Sequence, residues 1–184
     1  GGKRGAARGV DCRGGSGSGG VSVDLRATAI HEAGHAVCSH RLDMEFGPVT
    51  VVQDGGKVGA MAAPGLDHVY DPDHAQKQIY AFSAGYAAMI AAGYDEKQAM
   101  EGAWSDFDAV EILIERWGFS RTVEEWKAEV MEMMRELRNV QAVSKLAIEL
   151  MEVGTMEWDT AGLCIDAADG LLSEEEFRQS MAGW

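Results

Sequence analysis

The stretch ATAIHEAGHAVCSH, residues 27–40, decides how the chain reads. It holds His31, His35 and His40, three of the five histidines, together with Glu32, all set among small and apolar residues. Leu25, Ile30, Ala33 and Val37 recur at helical spacing, so the sequence predicts a helix from about Asp24 to His40 with one apolar face. His31 and His35 stand four apart and share a face of that helix, where both imidazoles can reach one metal ion. Glu32, turned by about 100° from His31, is placed to take a proton from a water on such an ion. The pattern His-Glu-x-x-His most often serves peptide hydrolysis. The plainer alternative is a helix that merely carries two histidines and a glutamate. Ala33 and Gly34, which allow a neighbouring element to approach closely, weigh against it.

A catalytic zinc ion usually has three protein ligands, and the third is not in the motif. A histidine six residues beyond His35 would complete one known pattern, but Arg41 stands there, and His40 is one residue short. Asp54 falls at the right distance for a glutamate-type ligand, yet it sits in an Asp-Gly turn and reads as turn chemistry. His68 and His74 are possible, the latter more simply a polar residue in the first turn of a helix. Asp106, in GAWSDFDAV, follows Ser105 at what reads as a helix start, where a carboxylate suits the dipole. By position alone, Asp106 and Asp108 could equally be capping residues.

Composition narrows the partners. Of 184 residues, 46% are hydrophobic and 25% charged, the balance of a globular domain with a sizeable core. Acidic residues outnumber basic ones by 30 to 16, which argues against nucleic acid and against an anionic membrane surface. No apolar run reaches the roughly 18–20 residues of a membrane-spanning helix, and the N-terminus lacks the apolar block of a signal peptide. Cys12, Cys38 and Cys164 are widely spaced and form no CxxC pair, so a disulfide scaffold is not expected. The simplest setting is a reducing, cytoplasmic compartment.

Residues 1–20 contain nine glycines and little that could be buried, and read as a flexible tail or linker. Since residue 1 is not Met, a fragment or processed product is expected. Residues 21–184 read as one mainly helical domain (α+β) with a small β-hairpin at VTVVQDGGKVGAM, residues 49–61. A second helix should open at Asp71-Pro72 and close at Gly93, and a third should run from Ser105 to Gly118. Thr122 and Glu125 make a capping box for a long helical stretch to Val153, with a break expected near Asn139. Two short helices follow, one around residues 158–168 and one begun by Ser173 and Glu176. DAADGLLSEEEF, residues 166–177, looks like part of a calcium loop, but Ile165 and Ala167 stand where oxygen ligands are required. The Met-rich VMEMMREL, residues 130–137, reads as core packing.

Taken together, these motifs resemble the proteolytic domain of the FtsH family of ATP-dependent zinc metalloproteases. TAIHEAGHAV (28–37) is similar to that family's zinc helix, and VTVVQDGGKVGAM to its strand-turn-strand segment. GAWSDF (102–107) is similar to its G-A-x-N-D-L, and RWGFS (116–120) to its W-G-F/M-S. The resemblance implies a zincin-like helical fold and a Zn2+ cofactor bound by His31, His35 and Asp106, with Glu32 as general base. It also implies a peptide or unfolded-protein substrate, and homo-oligomerisation. The strand Val49–Val52 is expected to be an edge open to an extended substrate. Where the family has G-G-R-x-A-E-E, this chain has Ser83-Ala84-Gly85-Tyr86-Ala87-Ala88-Met89, with the charges gone. No P-loop spacing occurs, so ATP-driven unfolding is not expected from this chain, and substrates are expected to be peptides or already unfolded proteins unless a separate ATPase partner supplies the motor. The alternative is a catalytically silent module of the same fold that acts as a binding or adaptor domain.

Overall fold

The central helix is the one carrying the histidines. In the computed structural model, which describes residues 24–54, 57–61 and 66–182, α1 spans Leu25–Arg41. The Asp24 carboxylate caps it by accepting the backbone N–H groups of Arg26 and Ala27. Every residue from Ala29 to Ser39 is buried, so α1 is enclosed on all sides and does not have the single apolar face the sequence predicts. The sheet, α2, α5 and α6 pack around it.

The described residues form seven α-helices and a small antiparallel sheet, a mainly helical domain with a β-hairpin as expected. β1 (Val49–Asp54) and β2 (Lys57–Met61) make the hairpin, and β3 (Thr155–Met156) adds two residues on the other side of β1. The sheet order is β2-β1-β3. β1 is therefore not the edge the sequence reading expected. Met156 and Thr155 pair with Val49 and Thr50, and the Val51 N–H donates to the Gly154 carbonyl at 2.8 Å. The chain returning from the long helical stretch occupies the side of β1 expected to be open. Gly55 and Gly56, where the hairpin should turn, lie outside the described residues, as do residues 1–20.

After a 3₁₀ turn at Leu66–His68, α2 (Pro72–Ala91) begins with the Asp71 side chain accepting the His74 N–H at 2.8 Å. α3 runs from Glu96 to Trp117, nine residues earlier than the expected start at Ser105. Its cap is Asp95, which forms a full capping box with Gln98. It stops at Gly118 in the left-handed conformation. α4 (Val123–Arg135) opens on the expected Thr122–Glu125 box, and α5 (Leu137–Val153) continues it. The break falls at Glu136, three residues before Asn139. Asn139 nevertheless fastens it: fully buried, its amide donates to the Met133 carbonyl at 2.8 Å. α6 (Trp158–Ala168) and α7 (Glu174–Ala182) close the domain, α7 with a reciprocal Ser173–Glu176 cap. No helix among the described residues is long and apolar enough to cross a membrane.

Two contacts hold α1 in register. A Cβ on Gly34 would lie 2.6 Å from the Ala84 carbonyl oxygen and 2.6 Å from the Ala88 Cβ, so α1 and α2 cross at a distance only glycine permits. At its C-terminus, Arg41 donates to both Asp169 carboxylate oxygens at 2.6 and 2.8 Å, and through Nε to Asn139 at 2.9 Å. The two charged side chains are only 10% and 17% exposed, so removing one strands the other away from water. Asp169→Ala is expected to cost about 3 kcal/mol of unfolding free energy, read by urea denaturation followed by circular dichroism.

Candidate metal centre

α1 presents His31 and His35 toward α2 and α3. The His31 and His35 Nε2 atoms are 2.9 Å apart. Asp106 Oδ2, on α3, is 3.1 Å from the first and 3.4 Å from the second. All three point their donor atoms at one spot, and no other trio of His, Cys, Asp or Glu among the described residues is placed to hold a metal ion. Ligands held about 2.0–2.1 Å from a tetrahedral ion lie about 3.3 Å from one another, so the observed spacings fit a small divalent cation with little adjustment. The donor set, two imidazoles and a carboxylate, suits such an ion as well.

The surroundings orient the cluster. His35 Nδ1 donates to the Ala81 carbonyl at 2.7 Å, which leaves the Nε2 lone pair of the neutral ring facing the shared spot. Gly85 of α2 makes room: a Cβ there would lie 2.6 Å from His35 Nε2 and 2.7 Å from His31 Nε2. Gly102 of α3 faces the His31 ring with room to spare: a Cβ there would lie 3.7 Å from His31 Nδ1, an ordinary van der Waals contact. His31, Glu32 and His35 are 8%, 6% and 6% exposed, so the cluster is almost enclosed.

Without a cation, the cluster shares its charge internally. Burial works against the His35 imidazolium, but the hydrogen bond and charge of Asp106, the Glu32 charge and the Ala81 carbonyl outweigh it and raise the pKa to about 9. His31 goes the other way, lowered by burial and by the neighbouring His35 charge. Burial would raise the Asp106 carboxyl, yet its hydrogen bonds to both histidines and their charge hold it well below the usual carboxylate range. The metal-free state is thus an ionised Asp106 beside a protonated His35. The raised histidine stabilises the metal-free fold fully below pH 6.5, and loses that contribution as pH rises through about 9.

Asp106 reaches the site for a different reason from the one its sequence position offered. It lies in the middle of α3, one turn beyond Gly102, so neither a cap nor the helix dipole explains it. What places it is the face of α3 turned toward α1 and α2. Asp108 is exposed. Asp54 ends β1 opposite Lys57 in the hairpin. His68 hydrogen-bonds the Tyr70 hydroxyl at 2.9 Å, and His74 neighbours Gln78. His40 hydrogen-bonds Asp166 at 3.2 Å, away from the cluster. Cys38 and Cys164 are buried, and burial raises both thiols to about 12. Gly85 and the Ala81 carbonyl were not singled out from sequence. A glycine inside a long helix is a signal of close approach, but a backbone carbonyl leaves none.

No protein-family model matches the chain, and a search of curated proteins returns no match.

Two outcomes follow for metal binding. Asp106→Ala and Gly85→Ala should each lose bound metal on dialysis, by elemental analysis, while His40→Ala retains it. Because the cation must displace the His35 proton, apparent affinity should rise about tenfold per pH unit up to about pH 9 and then level off. Competition with a chelator across pH 6–10 measures this.

Proposed function

We propose that the chain is a zinc-dependent metalloendopeptidase acting on peptides or already unfolded proteins, with His31, His35 and Asp106 as ligands and Glu32 as general base. The observation that best supports this is the convergence of two histidines one turn apart with a carboxylate from another helix, beside a buried glutamate. Zinc seated there would act as a Lewis acid and lower the pKa of a water to about 7. Glu32, one residue from His31, takes the proton of the attacking water and returns it to the departing amine. Its charge already reaches His35, so it lies within the field of the cluster. Asp106, kept ionised by the imidazoles, offsets part of the cation's charge, and the Ala81 carbonyl keeps His35 from rotating away.

The likeness of residues 24–120 to FtsH-family peptidase domains points to the same reaction. Lacking a P-loop, the 184 residues would depend on a separate ATPase for any unfolding work. A homo-oligomer working in a reducing, cytoplasmic setting completes this reading.

One observation favours a second reading, a catalytically silent module that holds metal and binds partners: the near-complete burial of His31, Glu32 and His35 leaves little of the cluster open to substrate. Zinc analysis beside a fluorogenic-peptide assay separates the two. Under the first reading the wild type cleaves, and Glu32→Gln binds zinc but loses about 10²–10⁴-fold in rate. Under the second, both proteins bind zinc and neither cleaves.

A further inference from the structure

The third ligand is held to the first two indirectly. α3 meets α1 over only a few residues and is anchored mainly by α2, so the position of Asp106 relative to the histidines depends on the seam between α2 and α3. Gly85 and Asp106 flank the cluster across that seam, and each is followed by an aromatic ring. The rings of Tyr86 and Phe107, both buried, pack edge to face with centroids 5.5 Å apart. A third group rests on both. Lys127 of α4 places its Nζ 4.3 Å from the Tyr86 ring centroid and 5.7 Å from that of Phe107. Its side chain is only 16% exposed, and its carboxylate partner, Glu96 at 3.5 Å, is 75% exposed. A lysine with no structural task extends its ammonium into water. One withdrawn from water over two ring faces is held there by their quadrupoles.

We propose that Lys127 is a positioning residue for the metal centre: it clamps α4 across the Tyr86–Phe107 seam and so fixes the Asp106 carboxylate within reach of His31 and His35. The inference rests on the metal-binding reading above. The charge matters because it supplies attraction to both rings at once, which an apolar side chain of the same length does not.

The test is zinc affinity of the full chain, measured by competition with a chromophoric chelator. Lys127→Met and Lys127→Arg are compared with the wild type, and Lys127→Met is repeated in an Asp106→Ala background. Lys127→Met should weaken zinc binding by about tenfold, and Lys127→Arg, which keeps the cation over the rings, should restore most of it. With Asp106 removed, Lys127→Met should change affinity less than about twofold, since the path it acts through is gone. An equal loss in both backgrounds, unchanged affinity in Lys127→Met, or a loss accompanied by reduced far-ultraviolet helix signal would each overturn the positioning role. A wild type that binds no zinc would instead defeat the metal reading itself, and this inference with it.

Discussion

The close crossing of α1 and α2 is the constraint on which the rest of the site depends. Gly34 brings the two backbones together at Ala84 and Ala88, and between those two residues Gly85 opens the space that the two imidazoles enter. Any side chain at either position pushes the helices apart, because the neighbours it would strike are backbone, a packed methyl group or the two imidazoles. With α1 buried on every side, the displacement could not be absorbed at the surface. The geometry of the His31–His35–Asp106 cluster is thus a consequence of helix packing.

The electrostatics follow from the same enclosure. A carboxylate and two imidazoles within 3.4 Å of one another, largely withdrawn from water, cannot ionise independently. The proton that His35 retains and the charge that Asp106 keeps are the metal-free substitute for a cation. At the other end of α1, the Arg41–Asp169 pair neutralises charge in a comparable setting and ties the helix to α6. α1 is therefore pinned at two points, by close packing near Gly34 at the middle of its buried run and by ion pairing at Arg41, its last residue.

Local signals made most of this legible in the sequence. The His-Glu-x-x-His spacing, the Thr122–Glu125 and Ser173–Glu176 caps, and the β-branched hairpin strands each declare themselves within a few residues. The extent of α3 was legible too, in Asp95 and Gln98, which box its start nine residues before Ser105. Asp106 was singled out by resemblance, and the helix-start argument offered for it does not hold. Two features had no local signature. β3 is two residues long, and its pairing with β1 depends on where α5 delivers the chain. The carbonyl of Ala81 is chosen by the crossing of two helices remote in sequence.

The account stands most directly on what surrounds the bound ion. X-ray absorption at the zinc edge of the metal-loaded protein should show a four-coordinate shell of nitrogen and oxygen at about 2.0–2.1 Å, with the multiple scattering of two imidazoles. A shell with sulfur at about 2.3 Å, or one of oxygen alone without imidazole scattering, would contradict it.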